Sequence, residues 1–349
     1  MQPQRKGKRW RLRRDRARRT VLARQKHNSF NQGYDGGYLK GFQNGYNSGY
    51  DDGYNHAHDR GYGEGYQQGL QATDPYQHGF ANGKDEGVYE AAEIWIEKAL
   101  PPNTMLADVA MEQLIAAGLE QYKASWFPVN PPAEIGEQLL QAVQSGTPYG
   151  LIRLGDGELL TMAQETAMED SEIRRIGFFL PYAGVEIPDR TARDRLLTGM
   201  READAIGIPL SRKRAYQPLL LQVLRAHGLD YRSLPLTHSL VNYELYRQGY
   251  INRLLDAGRV LVIGNLAQDV ADKLRSNGNR VSGAVQPVRG MADVPRVLSD
   301  IEKHAFDFAL VSAGIAAIPI VTHIRSVLGK VAIDFGHMSD RYVKGGEGF

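Results

Sequence analysis

From Gly150 to Ile333 the chain alternates between short apolar runs and longer segments with apolar residues every three or four positions, and this alternation leaves few folds open. The runs Gly150–Leu154, Ala205–Pro209, Leu236–Leu240, Val260–Ile263, Arg280–Ala284, Phe308–Ser312 and Val331–Ile333 read as strands. Between most of them lie helical patterns: Thr191–Arg201, Gln217–Ala226, Tyr243–Ala257, Ala267–Ser276, Val294–His304 and Ala316–Val327. Parallel strands need long crossovers, which helices supply, so the pattern predicts an α/β, Rossmann-like, largely parallel sheet with helices on both faces. Ligands then belong at the carboxyl ends of the strands. Ahead of the alternation, Val88–Leu100, Met105–Phe127 and Ala133–Val143 read as helices separated by Pro-containing breaks. The expected organisation is a basic arm (1–28), a Gly-Tyr repeat (29–85), a helical connector (86–130) and the α/β domain (131–349).

Four strand ends carry candidate chemistry. The first predicted strand runs into Arg153-Leu154-Gly155-Asp156-Gly157-Glu158, a tight turn with two carboxylates. Two residues apart, Asp156 and Glu158 can face one divalent cation, and Gly155 and Gly157 allow unusual backbone angles and close approach of a phosphate. The same residues also suit an ordinary strand-to-helix turn, with Asp156 as N-cap and Glu158 in the first helical turn. Two further strands end in small residues before a helix, Gly264-Asn265 and Ser312-Ala313-Gly314, where a phosphate could reach backbone N–H groups. Close strand–helix packing explains such glycines equally well. The last strand leads into Asp334-Phe335-Gly336-His337, where the acid and the histidine are either site residues or satisfied structural ones.

The formal net charge of +2 hides an asymmetry. Residues 1–26 hold twelve Lys or Arg and one acid, Asp15; the remaining 30 bases and 39 acids leave the rest at −9. Such an arm, over residues 5–26, can bind a polyanion or an acidic membrane surface by charge alone, or stay solvated. It is followed by glycine every fourth residue: Gly33, Gly37, Gly41, Gly45, Gly49 and Gly53, then Gly61, Gly65 and Gly69, most of them followed by Tyr or Phe. On a helix this spacing makes a smooth groove beside an aromatic ridge, suited to self-association through residues 33–87. Each helical glycine costs about 1 kcal/mol relative to alanine, so a helix here is conditional on association and otherwise the tract is disordered. The chain has no cysteine, which removes disulfides, thiolate catalysis and Cys-ligated zinc. It has no apolar run long enough to span a bilayer and no secretory leader, so a cytoplasmic location is expected, at most peripheral to the inner membrane surface.

The turn at Arg153–Glu158 together with Asp334-Phe335-Gly336-His337 resembles the GT-D-fold glycosyltransferases of bacteria, and the similarity extends over about residues 130–342. The resemblance implies a Rossmann-like sheet, a nucleotide-sugar donor (a UDP-sugar), a hydroxyl acceptor on a glycan or protein, and Asp156 and Glu158 holding Mn²⁺ or Mg²⁺ against the donor diphosphate. It also implies donor contacts from Arg153, Gly155, Gly157, Gly264, Asn265, Ser312, Gly314 and Asp334, with His337 as a proton-handling group oriented by Asp334. The chain departs from the family pattern at Gly314-Ile315, where Gly-Pro is usual, and at Ser339 and Arg341, where acids are usual. An Arg that often follows in relatives is also missing after Gly264-Asn265.

The expected activity is therefore metal-dependent glycosyl transfer of the hexosyltransferase class. The alternative is a non-catalytic nucleotide- or glycan-binding assembly protein that self-associates through its repeat. For the arm, deleting residues 1–28 should remove most salt-sensitive binding to heparin or acidic vesicles and leave nucleotide affinity within about twofold, as read by binding assays across an ionic-strength series.

Overall fold

The computed structural model describes residues 94, 96 and 98–344, in two compact units divided between Ser125 and Trp126. The basic arm and the Gly-Tyr repeat, with the self-association and polyanion binding expected of them, lie outside the described residues.

In the first unit Lys98 and Ala99 are helical and Leu100 closes the turn onto the Ile96 carbonyl. The helix expected over Met105–Phe127 is shorter, α1 (Met111–Gln121). Asp108 takes a left-handed φ of 59°, which helical propagation does not tolerate, and the helix starts only after Ala110. The Gln113 side chain accepts the Ala110 N–H at this start, and a 3₁₀ turn at Lys123–Ser125 follows the end.

The second unit holds a seven-stranded, all-parallel sheet. Its elements are α2 (Pro132–Ser145), β1 (Tyr149–Arg153), α3 (Asp156–Ala163), α4 (Asp170–Ile176), α5 (Arg190–Glu202), β2 (Ala205–Ile208), α6 (Gln217–Ala226), β3 (Leu236–His238), α7 (Val241–Arg247), α8 (Tyr250–Ala257), β4 (Val260–Gly264), α9 (Ala267–Ser276), β5 (Val281–Val285), α10 (Val294–Ile301), β6 (Phe308–Ser312), α11 (Ala317–Ser326), β7 (Val331–Asp334) and α12 (Met338–Lys344). Every expected strand forms, in the order β3-β2-β1-β7-β6-β4-β5. The helix expected over Tyr243–Ala257 is instead two, α7 and α8, because Gly249 adopts φ +80° between them. Helices α3, α4 and α12 were not legible in the periodicity. Helix α3 has no polar stripe to reveal it, since Gly157 and every residue from Leu159 to Ala163 are buried.

Strand alternation divides the core in two. Ile152, Leu261, Ile263, Val311 and Ala332 face α3, α5, α6, α10 and α11, whereas Leu151, Val260, Val262, Leu310 and Ile333 face α2, α7, α8, α9 and α12. With both faces covered, each buried Leu or Ile side chain contributes roughly 1.5–3 kcal/mol, and the strands read as nearly unbroken apolar runs. The order also makes β1, β7, β6 and β4 consecutive neighbours. All the candidate site residues leave the carboxyl ends of these four strands.

A carboxylate ties the other end of β1 into this frame. Asp204 accepts the Gly150 N–H at 2.8 Å and pairs with the Arg325 guanidinium of α11 at 3.0 Å. Asp204→Ala should lower stability by about 1–3 kcal/mol, seen as a reduced denaturation midpoint with an unchanged slope.

Candidate functional site at the carboxyl edge of the sheet

Arg153, the last residue of β1, organises this edge. Its Nε donates to the Asp334 carbonyl at 3.0 Å and its Nη2 to Asp334 Oδ1 at 3.1 Å. Nη1 donates to the Ser239 carbonyl and to Asn242 Oδ1, both at 3.2 Å. Asn242, fully buried, in turn donates to the Phe335 carbonyl. One guanidinium thereby joins β1, β7 and the β3–α7 connection. Its position requires Gly336, whose φ is +56° and where an added Cβ would stand 1.8 Å from Arg153 Nη2.

The acidic turn differs from expectation in one respect. Gly155, not Asp156, is the N-cap of α3; Asp156 is the first helical residue, and Glu158, the third, reaches back so that its Oε2 accepts the Gly155 N–H at 2.8 Å. Asp156 Oδ1 accepts the Gly157 N–H at 3.0 Å. Neither flanking glycine has a positive φ among the described residues. Space around them is tight: a Cβ at Gly157 would lie 3.2 Å from Ile315 Cδ1, and one at Gly155 would lie 3.1 Å from Glu158 Oε2, so either side-chain end would have to give by a few tenths of an ångström. Buried under Ile315 and Phe179, Gly157 is closed to the phosphate approach the sequence suggested.

Glu158 and Asp334 crowd one cation. Burial, reinforced by the Asp334 charge, pushes the Glu158 carboxyl up to about 7, against the opposing pull of backbone N–H groups and Arg153. Burial also raises Asp334, opposed by its pairing with Arg153 and the Gly336 N–H. Asp334 is paired with the Arg153 guanidinium, while Glu158 is bonded to the Gly155 N–H, with Asp156 two residues away. Among the described residues no group of three or more His, Cys, Asp or Glu forms a ready cation cage.

The remaining candidates divide into engaged and open positions. Ser312 Oγ donates to the Gly336 carbonyl and shares a 2.7 Å hydrogen bond with Ser339 Oγ. Gly264, at φ +148°, leaves no room for a Cβ, which would lie 2.3 Å from the Ser312 carbonyl. Asn265 Oδ1 accepts the Val288 N–H at 2.8 Å and so holds the loop after β5. These three are committed to packing the edge. Gly314, with φ +52°, is exposed in open space, and His337 is exposed at the start of α12. The expected orientation of His337 by Asp334 is not seen; the Asp334 carboxylate is engaged by Arg153 and the Gly336 N–H.

Sequence reading missed Asn242 and Ser239, whose polar character carries no spacing signal, and two cavities. One, of about 530 Å³, lies between the segment from Pro181 to Arg195 and the loop Arg289–Pro295. The other, about 360 Å³, is bordered by Leu240, Tyr243, Glu244, Arg247 and Arg341, close to Asn242.

This fold and edge define a class. Residues 130–342 match the GT-D fold-like domain family, and the chain belongs to it. A solved structure described as the highly conserved domain of unknown function 1792, with a distinct glycosyltransferase fold, is similar over 66% of this chain and 86% of its own, at 16% identity and a TM-score of 0.44. No curated protein shows a significant match to the chain. The family match gives the chain a GT-D-like fold, and no described helix is long and apolar enough to cross a membrane.

The raised Glu158 sets a pH dependence. A carboxyl whose folded pKa lies above its unfolded value of 4.5 adds stability that is complete below 4.5 and lost as pH rises through about 7. Glu158→Gln, which keeps an acceptor for the Gly155 N–H, should therefore stabilise the metal-free protein at pH 8 by on the order of 2 kcal/mol and change little at pH 4.5, as measured by denaturant melts at both values.

Proposed function

We propose that this protein is a metal-dependent glycosyltransferase that moves a sugar from a nucleotide-sugar, a UDP-sugar, to a hydroxyl acceptor. The observation that supports it most is the pair of carboxylates in the turn that ends β1, Asp156 and Glu158, two residues apart at the carboxyl edge of the sheet and on the strand next to β7. Such a pair can supply part of the shell of a divalent cation. An ionised carboxylate has about four acceptor sites, so Asp156 and Glu158 keep capacity beyond the single N–H each takes from the turn's glycines. Mg²⁺ or Mn²⁺ held by one or two carboxylates and completed by substrate oxygens is ordinary coordination for phosphate-bearing substrates. The ion would supply Lewis-acid stabilisation of the departing nucleoside diphosphate.

The chain's own groups do the rest. Arg153 fixes Asp334 and the β7 end, so the acidic turn keeps its place when charge builds beside it. Exposed Gly314 offers approachable backbone at the end of β6, next to the β7 end. His337, exposed at the same edge, is the proposed group to accept a proton from the acceptor hydroxyl. Gly264, Asn265 and Ser312 contribute by shaping the edge. The basic arm is proposed to hold the enzyme on a polyanion or acidic membrane face at the cytoplasmic side, and the Gly-Tyr repeat to self-associate.

Asp156→Asn and Glu158→Gln should each reduce Mn²⁺-dependent release of UDP from a panel of UDP-sugars by about 10²-fold or more, with the melting transition retained. Unchanged turnover and unchanged Mn²⁺ dependence in either variant would refute the assignment. Nucleotide binding without any turnover in the wild type would favour the non-catalytic assembly reading.

A further inference from the structure

Beside the acidic turn the surface is apolar and basic at once. Single exposed apolar side chains are ordinary, but the short connection between α4 and α5 presents two large rings to water, Phe178 at 78% exposure and Tyr182 at 86%. Leu210, just after β2, adds a third apolar side chain at 41%. The rings cannot fold inward. Leu180 and Val185 of the same connection are in the core, the Leu180 N–H donates to the Gly177 carbonyl at 2.9 Å, and the Ala183 N–H donates to the Phe179 carbonyl at 3.0 Å. Positions 178 and 182 are thereby held on the outer side, and the Phe178 ring stands edge-on to Phe179 with centroids 6.0 Å apart.

Cations surround these side chains. The connection after β2 carries Arg212, Lys213 and Arg214, all exposed, on a closed turn in which the Tyr216 N–H donates to the Lys213 carbonyl and the Gln217 N–H to the Ser211 carbonyl, each at 3.0 Å. Glu172 joins that turn to α4, since it pairs with Arg214 and, at 3.6 Å, with Arg175. Arg174, exposed beside it, donates to the Ile187 carbonyl at 3.2 Å. The acids nearby are few. Glu172 is committed to two of the bases and Asp170 faces Arg190, which leaves Glu169 at the start of α4 and Glu186 beyond Val185. Among the described residues Arg174, Arg212 and Lys213 have no acidic partner. This positive ground stands in a chain whose net charge after residue 26 is −9.

We propose that this face docks on an anionic lipid bilayer, with Phe178, Tyr182 and Leu210 entering the boundary between headgroups and acyl chains and Arg174, Arg212 and Lys213 set against the lipid phosphates. Rings with a polar or cationic surround match the two layers of a bilayer surface, and each basic side chain near anionic lipid adds to the attraction. A soluble polyanion supplies the charge alone and has no hydrocarbon for Phe178 and Leu210. The docking is independent of the glycosyltransferase reading and separate from the basic arm. Where the arm can only tether, this face also orients: Phe179 Cε2 lies 3.6 Å from where a Gly157 Cβ would be, so the acidic turn is carried toward the membrane.

Because the chain has no cysteine, one introduced thiol reports from one place. Full-length Tyr182→Cys, and Ser276→Cys at the far end of α9 as a control, are each labelled with a polarity-sensitive nitrobenzoxadiazole dye and titrated with vesicles of phosphatidylcholine containing one-third phosphatidylglycerol. The dye at position 182 is expected to brighten and shift to shorter wavelength, and the dye at 276 to stay as it is in buffer. Pure phosphatidylcholine vesicles should leave both unchanged. In cosedimentation with the anionic vesicles, Arg212→Ala/Lys213→Ala and Phe178→Ala/Tyr182→Ala should each weaken partitioning about tenfold or more while the melting transition is retained. Vesicle binding with no change at position 182 would assign the binding to the arm and overturn the proposal. It is equally overturned by no vesicle binding at all, by equal changes at 182 and 276, by wild-type partitioning of both double variants, or by the same change at 182 with heparin or single-stranded RNA in place of vesicles.

Discussion

Everything at the carboxyl edge depends on one buried guanidinium. Only 17% of the Arg153 side chain is accessible, so its charge has to be met by protein atoms. It is met by the carboxylate and the carbonyl of Asp334 and by two further acceptors, the Ser239 carbonyl and Asn242 Oδ1, from the segment after β3. Removing one partner of such a pair typically costs about 3–5 kcal/mol, because the other charge remains buried and alone. The constraint propagates outward. Gly336 must lack a side chain, Gly207 must allow the Arg153 stem within 3.0 Å of its Cβ position, and Asn242 must be placed to receive one N–H and return another.

The same arrangement sets the electrostatics of the acidic turn. The guanidinium satisfies buried Asp334 directly, at 3.1 Å, and half-buried Glu158 is left with backbone N–H groups. Desolvation then outweighs those hydrogen bonds and the Glu158 carboxyl rises to about 7. Glu158 therefore caps its own helix under an electrostatic cost. This joins the two readings that the turn admitted as a sequence: it is a strand-to-helix turn, and its capping geometry is what brings the acid to the edge.

Placement of the other candidates follows from strand order. Because β1, β7, β6 and β4 are neighbours, residues far apart in the chain meet at one edge, and much of their polarity is spent on one another. Ser312 bonds to Gly336 and Ser339, Gly264 makes room for the Ser312 carbonyl, and Asn265 anchors the loop that becomes a wall of the larger cavity. The departure at Ser339 has a physical counterpart here: the residue is buried and shares its hydroxyl with Ser312.

The sequence alone determined the α/β class, the seven strands and most helices, because each depends on local apolar periodicity, and β1 or β4 must read as apolar whatever its neighbours are. It also marked the acidic turn and Asp334, since carboxylates beside glycines after a strand are visible locally. It offered α3 only as one reading of the acidic turn, because Leu159 to Ala163 are all buried and show no period, and it did not reveal the break at Gly249 or the exchange of roles between Gly155 and Asp156. Only the tertiary structure decided that Arg153 binds Asp334, that Asp334 is not bonded to His337, and that a loop from residue 177 to 184 meets Gly290 to close a cavity. Those outcomes depend on which strands become neighbours and on which of several acceptors lies within about 3 Å, and neither is encoded in the spacing of residues along the chain.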